Sequence, residues 1–356
     1  MINVKKEGIL LMKTTLVFEN EAVLNPAAIR MDDDVHIFYR AVSNGNFSSI
    51  GYCRLKGPYT VTERFDHPVI VPEFAYEMHG VEDPRIVKIE DLYYLTYTAY
   101  DGINALGALA TSKDMKVWKK FGLIVPQVTY EEFNRLAGSA IAMNEKYLCY
   151  NEHNRILEKQ RDGVFLWDKN VIFFPKKING KFYFLHRIKP DIQIVVGVKD
   201  LLELTTAFWQ NYFLHLDDCI VLAPKYEHEQ SYIGGGCPPI ETDEGWLLIY
   251  HGVHDSQKGY VYSACATLLD IDNPQKEIAR LPYALFKPEF AWELRGEVNN
   301  VCFPTGAALF DDTLYIYYGA ADEQIAYATV SLSALLKELL INKKEDENSG
   351  TAQTLN

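Results

Sequence analysis

Apolar and polar positions alternate along this chain in short runs bounded by turns. One arrangement recurs five times: a proline, two or three residues, an apolar residue, a polar turn, then a strand rich in aromatics. The copies begin at Pro26, Pro84, Pro175, Pro239 and Pro304. The runs that follow predict strands at 35–40, 92–98, 181–187, 246–251 and 314–319. A second strand is predicted after each, at 50–55, 105–111, 192–198, 260–269 and 324–330. Recurrence on this scale marks a repeat architecture. A sheet module used five times predicts an all-β, five-bladed β-propeller with a short C-terminal helix and tail. Such a ring brings five equivalent strand ends to one axial pocket.

The linear intervals between prolines are 58, 91, 64 and 65 residues, so the second holds extra material. It includes a possible helical turn at 129–135 and a possible strand pair at 139–143 and 147–150. Lacking the proline pattern, it reads as an insertion at about 117–168 rather than a degenerate sixth repeat. The convincing helical patterns are 201–209 and 332–341. Residues 1–340 thus read as one catalytic domain and the polar 341–356 as a flexible tail.

Composition narrows the function classes. The net charge of −13 argues against nucleic acid, whose binding rests on clustered Lys and Arg. No run of apolar residues approaches the ~18 that a membrane span needs. The six cysteines form no CxxC or zinc-like spacing, so they are expected to be mostly buried free thiols. A cytoplasmic location is expected, and a periplasmic one stays open.

The predicted strands end in polar or charged residues: Arg40, Tyr100-Asp101, His186-Arg187, His251 and Asp322. On any one strand this is an ordinary surface ending. On five equivalent strands it is a cleft with charges of both signs, suited to a ligand with many hydroxyls. Asn25 and Asp83 each precede a proline, which is expected to hold them extended. Glu82-Asp83-Pro84-Arg85 would then mount a rigid carboxylate beside a guanidinium, unless it is a surface ion pair of little consequence. Gly234-Gly-Gly236 allows close backbone approach, but no Gly-Lys-Ser/Thr follows to make a phosphate loop. Ser139 lacks the nucleophile-elbow spacing, and His251 and His254 form no convincing metal set.

Four segments together resemble glycoside hydrolase family 130: 80–86, 174–187, 238–252 and 317–322. The resemblance spans about residues 25–330 and implies a five-bladed propeller that cleaves β-mannosides with inversion. It implies Asp83 as the general acid, acting in phosphorylases through the mannosyl 3-hydroxyl. It places Asn25, Arg40 and Asp322 at the mannosyl subsite; Arg85 and Asp101, read from the residues alone, are expected as further substrate contacts. It places Lys169, Asn170, Arg187, Tyr232, His251 and Tyr262 at a phosphate or water site. No metal and no cofactor are implied; inorganic phosphate is the co-substrate if the enzyme is a phosphorylase. The partner is a β-1,2- or β-1,4-linked manno-oligosaccharide, and a homo-oligomer is possible.

Hydrolysis or phosphorolysis turns on the anion site, because phosphate needs converging cations and donors. Tyr232 and Glu241 stand where family phosphorylases commonly carry Lys, and Lys169 stands where Arg is frequent. A carboxylate near the attack face repels phosphate and activates water; an inverting hydrolase needs such a base roughly 6.5–9.5 Å from the acid. Glu227, Glu229 and Glu241 are the candidates, although Glu241 could equally face solvent. The expectation is therefore hydrolysis, with phosphorolysis as the alternative. A catalytically silent carbohydrate-binding propeller is the alternative of another class.

Overall fold

The computed structural model describes residues 2–138, 145–257 and 259–353. Its strands fall into antiparallel modules that follow the repeat. The first contains Ala22–Met31, Asp34–Ser43, Phe47–Lys56 and Thr60–Arg64; the second Gly80–Ile89, Leu92–Tyr100, Ala105–Ser112 and Lys119–Leu123. One parallel pairing, Ser48 with Gly80, joins these two into an eight-stranded sheet. The third contains Lys169–Phe173, Phe182–Arg187, Ile192–Val198 and Ile220–Leu222. In the fourth, Tyr232–Gly235 and Ile240–Thr242 both pair with Gly245–Ser256, followed by Gly259–Leu269 and Glu277–Arg280. The fifth contains Cys302–Phe310, Thr313–Ala320 and Gln324–Ser331, and its outer strand is the N-terminal Lys5–Leu11.

The apolar cores lie between successive modules. Phe38 and Tyr52 pack with Leu95 and Tyr97; Val87 and Leu109 with Phe184 and Val195; Leu185 and Ile194 with Trp246 and Tyr250. Leu247 and Ile249 pack with Ile316 and Tyr318, and Tyr317 and Ile325 pack back on Ile37 and Tyr39 of the first module. No sheet closes on itself; the fifth module meets the first through side chains and a Thr305 Oγ1 bond to the Pro26 carbonyl of 2.9 Å.

A second repeat runs through the buried charges. Glu19, Glu77, Glu229 and Glu293 each sit in a short helical turn, fully buried. Each accepts from a tyrosine on its module's second strand and pairs with a cation: Tyr39 and Arg64, Tyr97 and Lys120, Tyr250 and Arg280, Tyr318 and Lys6. In the third module His186 takes the tyrosine's place, bonded to Asp168 and to Tyr212 at 2.7 Å each. These groups would be costly to bury singly and are buried paired.

Several expectations change. Residues 147–150 lie in a helix, Glu145–Glu158, not in a strand, and 139–143 lie outside the described residues. Short apolar runs do not separate helix from strand by periodicity alone. Lys119–Leu123 completes the second module, so the extra material begins after it. The helix expected at 201–209 is a turn, Leu201–Glu203, then a helix, Thr206–Leu214, that starts at its Thr205 cap. The C-terminal helix continues past 341 to Gln353. All six cysteines are free, four of them buried. No described helix is long and apolar enough to cross a membrane.

Candidate active site

The site is built on one backbone irregularity used repeatedly. The first strands slip register between Leu24 and Ala27, Glu82 and Arg85, and Lys169 and Ile172. At these bulges Asn25, Asp83 and Asn170 adopt φ of 49°, 49° and 56°. All three are therefore left-handed, and Asn25 and Asp83 are not extended as the prolines after them suggested. The bulge sets the backbone, and Asn and Asp are the residues that tolerate it. The third copy is thus Asn170-Val171 rather than Pro175, which follows the strand. A bulge re-aims its side chain, and here it brings the first two together: Asn25 Nδ2 donates to Asp83 Oδ1 at 2.7 Å.

Asp83 is buried among cations. Burial opposes its charge, but Arg40, Lys169, Arg85 and the Asn25 bond hold its carboxyl below the usual range. Its neighbour Glu82 pairs with Arg40 at 2.7 Å, while burial and Asp83 push its own carboxyl up. Arg40 also donates to Ser48 at 2.8 Å. Asp322 completes this side; burial raises it to about 6, with Asp83 and Glu82 adding to the effect against Arg40 and Lys169. Arg40 and Asp322 also line an outward cleft of about 610 Å³ with Asn44, Asn46 and Glu297.

On the other side lie Lys169, paired in register with Arg187, then Asn170, His251, Tyr232 and Tyr262. Burial lowers both Lys169 and Arg187 below their ordinary values; for Lys169 the Arg187 charge adds to it. Both amide atoms of Asn170, both ring nitrogens of His251 and Nε of Arg187 are buried without a hydrogen-bond partner among the described residues. Burial and the surrounding Arg187, Arg85, Lys169 and Lys189 push His251 far below its ordinary value, so its ring is neutral. Gly234 makes this packing possible: a Cβ there would lie 2.5 Å from the His251 ring and 2.8 Å from Asn170 Nδ2. The Tyr232 and Tyr262 hydroxyls bond each other. Arg187 and Lys189 lie over the Tyr232 ring, 5.4 and 3.8 Å from its centroid.

Five expected residues are not brought in as expected. Arg85 is buried and spends its guanidinium on the backbone carbonyls of Asp83, Pro84, Gly235 and Gly236. It braces the second module to the fourth, and burial lowers it to about 10. Asp101 is absorbed by its own turn, accepting from the Ile103 and Asn104 amides and from Asn104 Nδ2. Glu241 is exposed, ion-paired with Lys176, and opposite Trp246; His251 lies five residues farther along that strand, roughly 16 Å away. Glu227 is exposed on a groove shared with Asn3 and Lys5 of the N-terminal segment. Glu229, the third candidate base, is held by Tyr250 and Arg280. His228, Glu229 and Cys265 are also the one group spaced for a metal among the described residues, and that carboxylate is already engaged.

Reading the sequence missed Glu82, Ser48 and Lys189. Glu82 adjoins Asp83, and Lys189 lies two residues beyond Arg187, the spacing that returns an extended chain to one face. Ser48 carries no signal of its own.

The family profile described as β-1,4-mannooligosaccharide phosphorylase matches residues 10–340. The chain belongs to glycoside hydrolase family 130. Within family 130, it is 33% identical to a 1,2-β-oligomannan phosphorylase of Thermoanaerobacter sp. over 93% of this chain and 98% of that one. It is 35% identical to a β-1,2-mannobiose phosphorylase of the same organism, over 88% and 91%. Among solved structures, the β-1,2-mannobiose phosphorylase of Listeria innocua, in complex with β-1,2-mannobiose, matches with a TM-score of 0.71 at 22% identity, covering 96% of this chain and 100% of that one. The chain is therefore an enzyme of the family 130 type with that mostly-β fold. Phosphorylases take inorganic phosphate as co-substrate and need no cofactor. These relatives shift the balance from hydrolysis, the first expectation, to phosphorolysis.

Proposed function

We propose that this protein is an inverting β-mannoside phosphorylase that releases α-mannose 1-phosphate. The observation that carries the reading is the pairing of Asp83 with a set of unpartnered donors beside it. Lys169 and Arg187 supply charge; Asn170 and His251 supply buried polar atoms with no bond of their own. Such a set is costly to bury empty and suits a tetrahedral anion. The carboxylates expected to activate water, Glu227 and Glu241, are exposed. Glu229, the third such carboxylate, is engaged by Tyr250 and Arg280.

In this reading Asn25, Arg40 and Asp322 hold the mannosyl ring. A phosphate oxygen forms the new bond to the anomeric carbon from the α face as the β-glycosidic bond breaks. The leaving oxygen takes a proton that originates on Asp83. In the empty site the cations favour the Asp83 carboxylate. Bound phosphate offsets the field of Lys169 and Arg187 and so raises the proton affinity of Asp83. The acid is loaded when the nucleophile arrives. The modules, packed face to face with the fifth on the first, are best read as a five-bladed propeller with Asp83 near its axis.

The relatives matched over most of the chain make β-1,2-mannobiose the first substrate to test. Incubated with it and inorganic phosphate, the enzyme should yield α-mannose 1-phosphate as chief product. Free mannose formed at a rate indifferent to phosphate would overturn the reading.

A further inference from the structure

Lys189 is a cation without an anion. It lies in the segment between Arg187 and Pro190, only partly exposed, and among the described residues no carboxylate pairs with it. Its ammonium rests 3.8 Å from the centroid of the Tyr232 ring, on which Arg187 also lies. The charges it meets are themselves positive, Arg187 and Lys169. Burial and those two neighbours push its ammonium well below the ordinary lysine range. A flexible lysine escapes to water at little cost unless something holds it. The Tyr232 face offers a cation–π contact, which does not offset three converging cations. An anion among them would.

The fourth module presents a tyrosine, Tyr232, at this place in the site. That residue carries no charge, and Lys189 brings one to the same ring from the third. Resting on the phosphorylase reading, we propose that Lys189 binds the phosphate co-substrate directly, as a third cation beside Lys169 and Arg187, with Tyr232 as its platform. The ammonium reaches the anion as a compact point charge on a flexible stem, so arginine can replace its charge but not its shape.

The test is the steady-state kinetics of Lys189→Met and Lys189→Arg against the parent, varying phosphate and β-1,2-mannobiose separately. Calorimetric binding of inorganic phosphate and a melting curve accompany each variant. Lys189→Met should raise KM for phosphate, and the phosphate Kd, about tenfold or more, the size of one lost charge-assisted bond. KM for the mannoside should change less than about twofold, and Lys189→Arg should recover most of the loss. If Lys189→Met melts like the parent and keeps its phosphate KM and Kd, the proposal is wrong while the phosphorylase reading stands. If both KM values rise together, Lys189 only supports the site and the proposal is equally wrong. If Lys189→Met does not fold, Lys189→Arg decides: a parent-like phosphate KM supports the proposal, and loss of phosphate affinity in a folded protein overturns it. A parent that releases mannose without regard to phosphate removes both readings.

Discussion

At the scale of single residues, the site depends on side chains whose positions neighbours enforce. Asp83 is an acid candidate because a bulge turns it toward Asn25 and a ring of cations, not because a proline precedes it. Asp83→Asn keeps the shape and the left-handed backbone preference but removes the proton. Turnover of β-1,2-mannobiose should fall by about 10²–10⁴, the usual contribution of a general acid. Binding of phosphate should strengthen or hold, since a carboxylate has left its surroundings. Parent-like turnover would show that the proton comes from elsewhere. A folded parent that binds mannosides and never turns them over would favour the binding-module alternative. Arg40, Arg187 and His251 were legible from their places at predicted strand ends, and Asp83 from its place before a proline and from the family resemblance. Arg85 and Asp101 were misread because carbonyl acceptors and turn amides, which engage both side chains, leave no mark on the residue that meets them.

At the scale of elements, four of the five modules are locked by a buried carboxylate joined to a tyrosine and a cation, and the third by Asp168, His186 and Tyr212. In the fourth module this engages the Glu229 carboxylate with Tyr250 and Arg280. Tyr97→Phe removes one bond to the Glu77 carboxylate while leaving the ring in place. Stability should fall by about 1.5–3 kcal/mol, as for a hydrogen bond to a charged group. Denaturant unfolding would read this, with KM for both substrates unchanged. A variant as stable as the parent would mean that Lys120 and the backbone satisfy Glu77 unaided. This repeat was present in the sequence as Phe74-Ala-Tyr-Glu77, Tyr226-Glu-His-Glu229 and Phe290-Ala-Trp-Glu293. Proline is the more conspicuous repeat, but it marks the bulge in some modules and falls outside it in others.

At the scale of the whole molecule, the chain ends meet in the fifth module, where Lys5–Leu11 pairs with Gln324–Ser331 and Lys6 reaches Glu293. A ligand held between modules stabilises the assembly by mass action. Phosphate at about 100 times its Kd adds about 2.7 kcal/mol, which for a chain of this length is a melting shift of about 3–4 °C. Differential scanning with phosphate against chloride at equal ionic strength checks it; no shift would mean that the donor cluster does not take phosphate. The sequence by itself determined the strand repeat, the family and the residues that gather near Asp83, because alternation and local motif are properties of neighbouring positions. Only the tertiary structure decided which charges meet. Glu241 proved to pair with Trp246 near the end of Gly245–Ser256 remote from His251, Glu229 to sit inside a lock, and Lys189 to lie over a tyrosine of the next module. Those outcomes depend on how separate modules face one another, and side chains distant in sequence acquire a common field only when the modules pack.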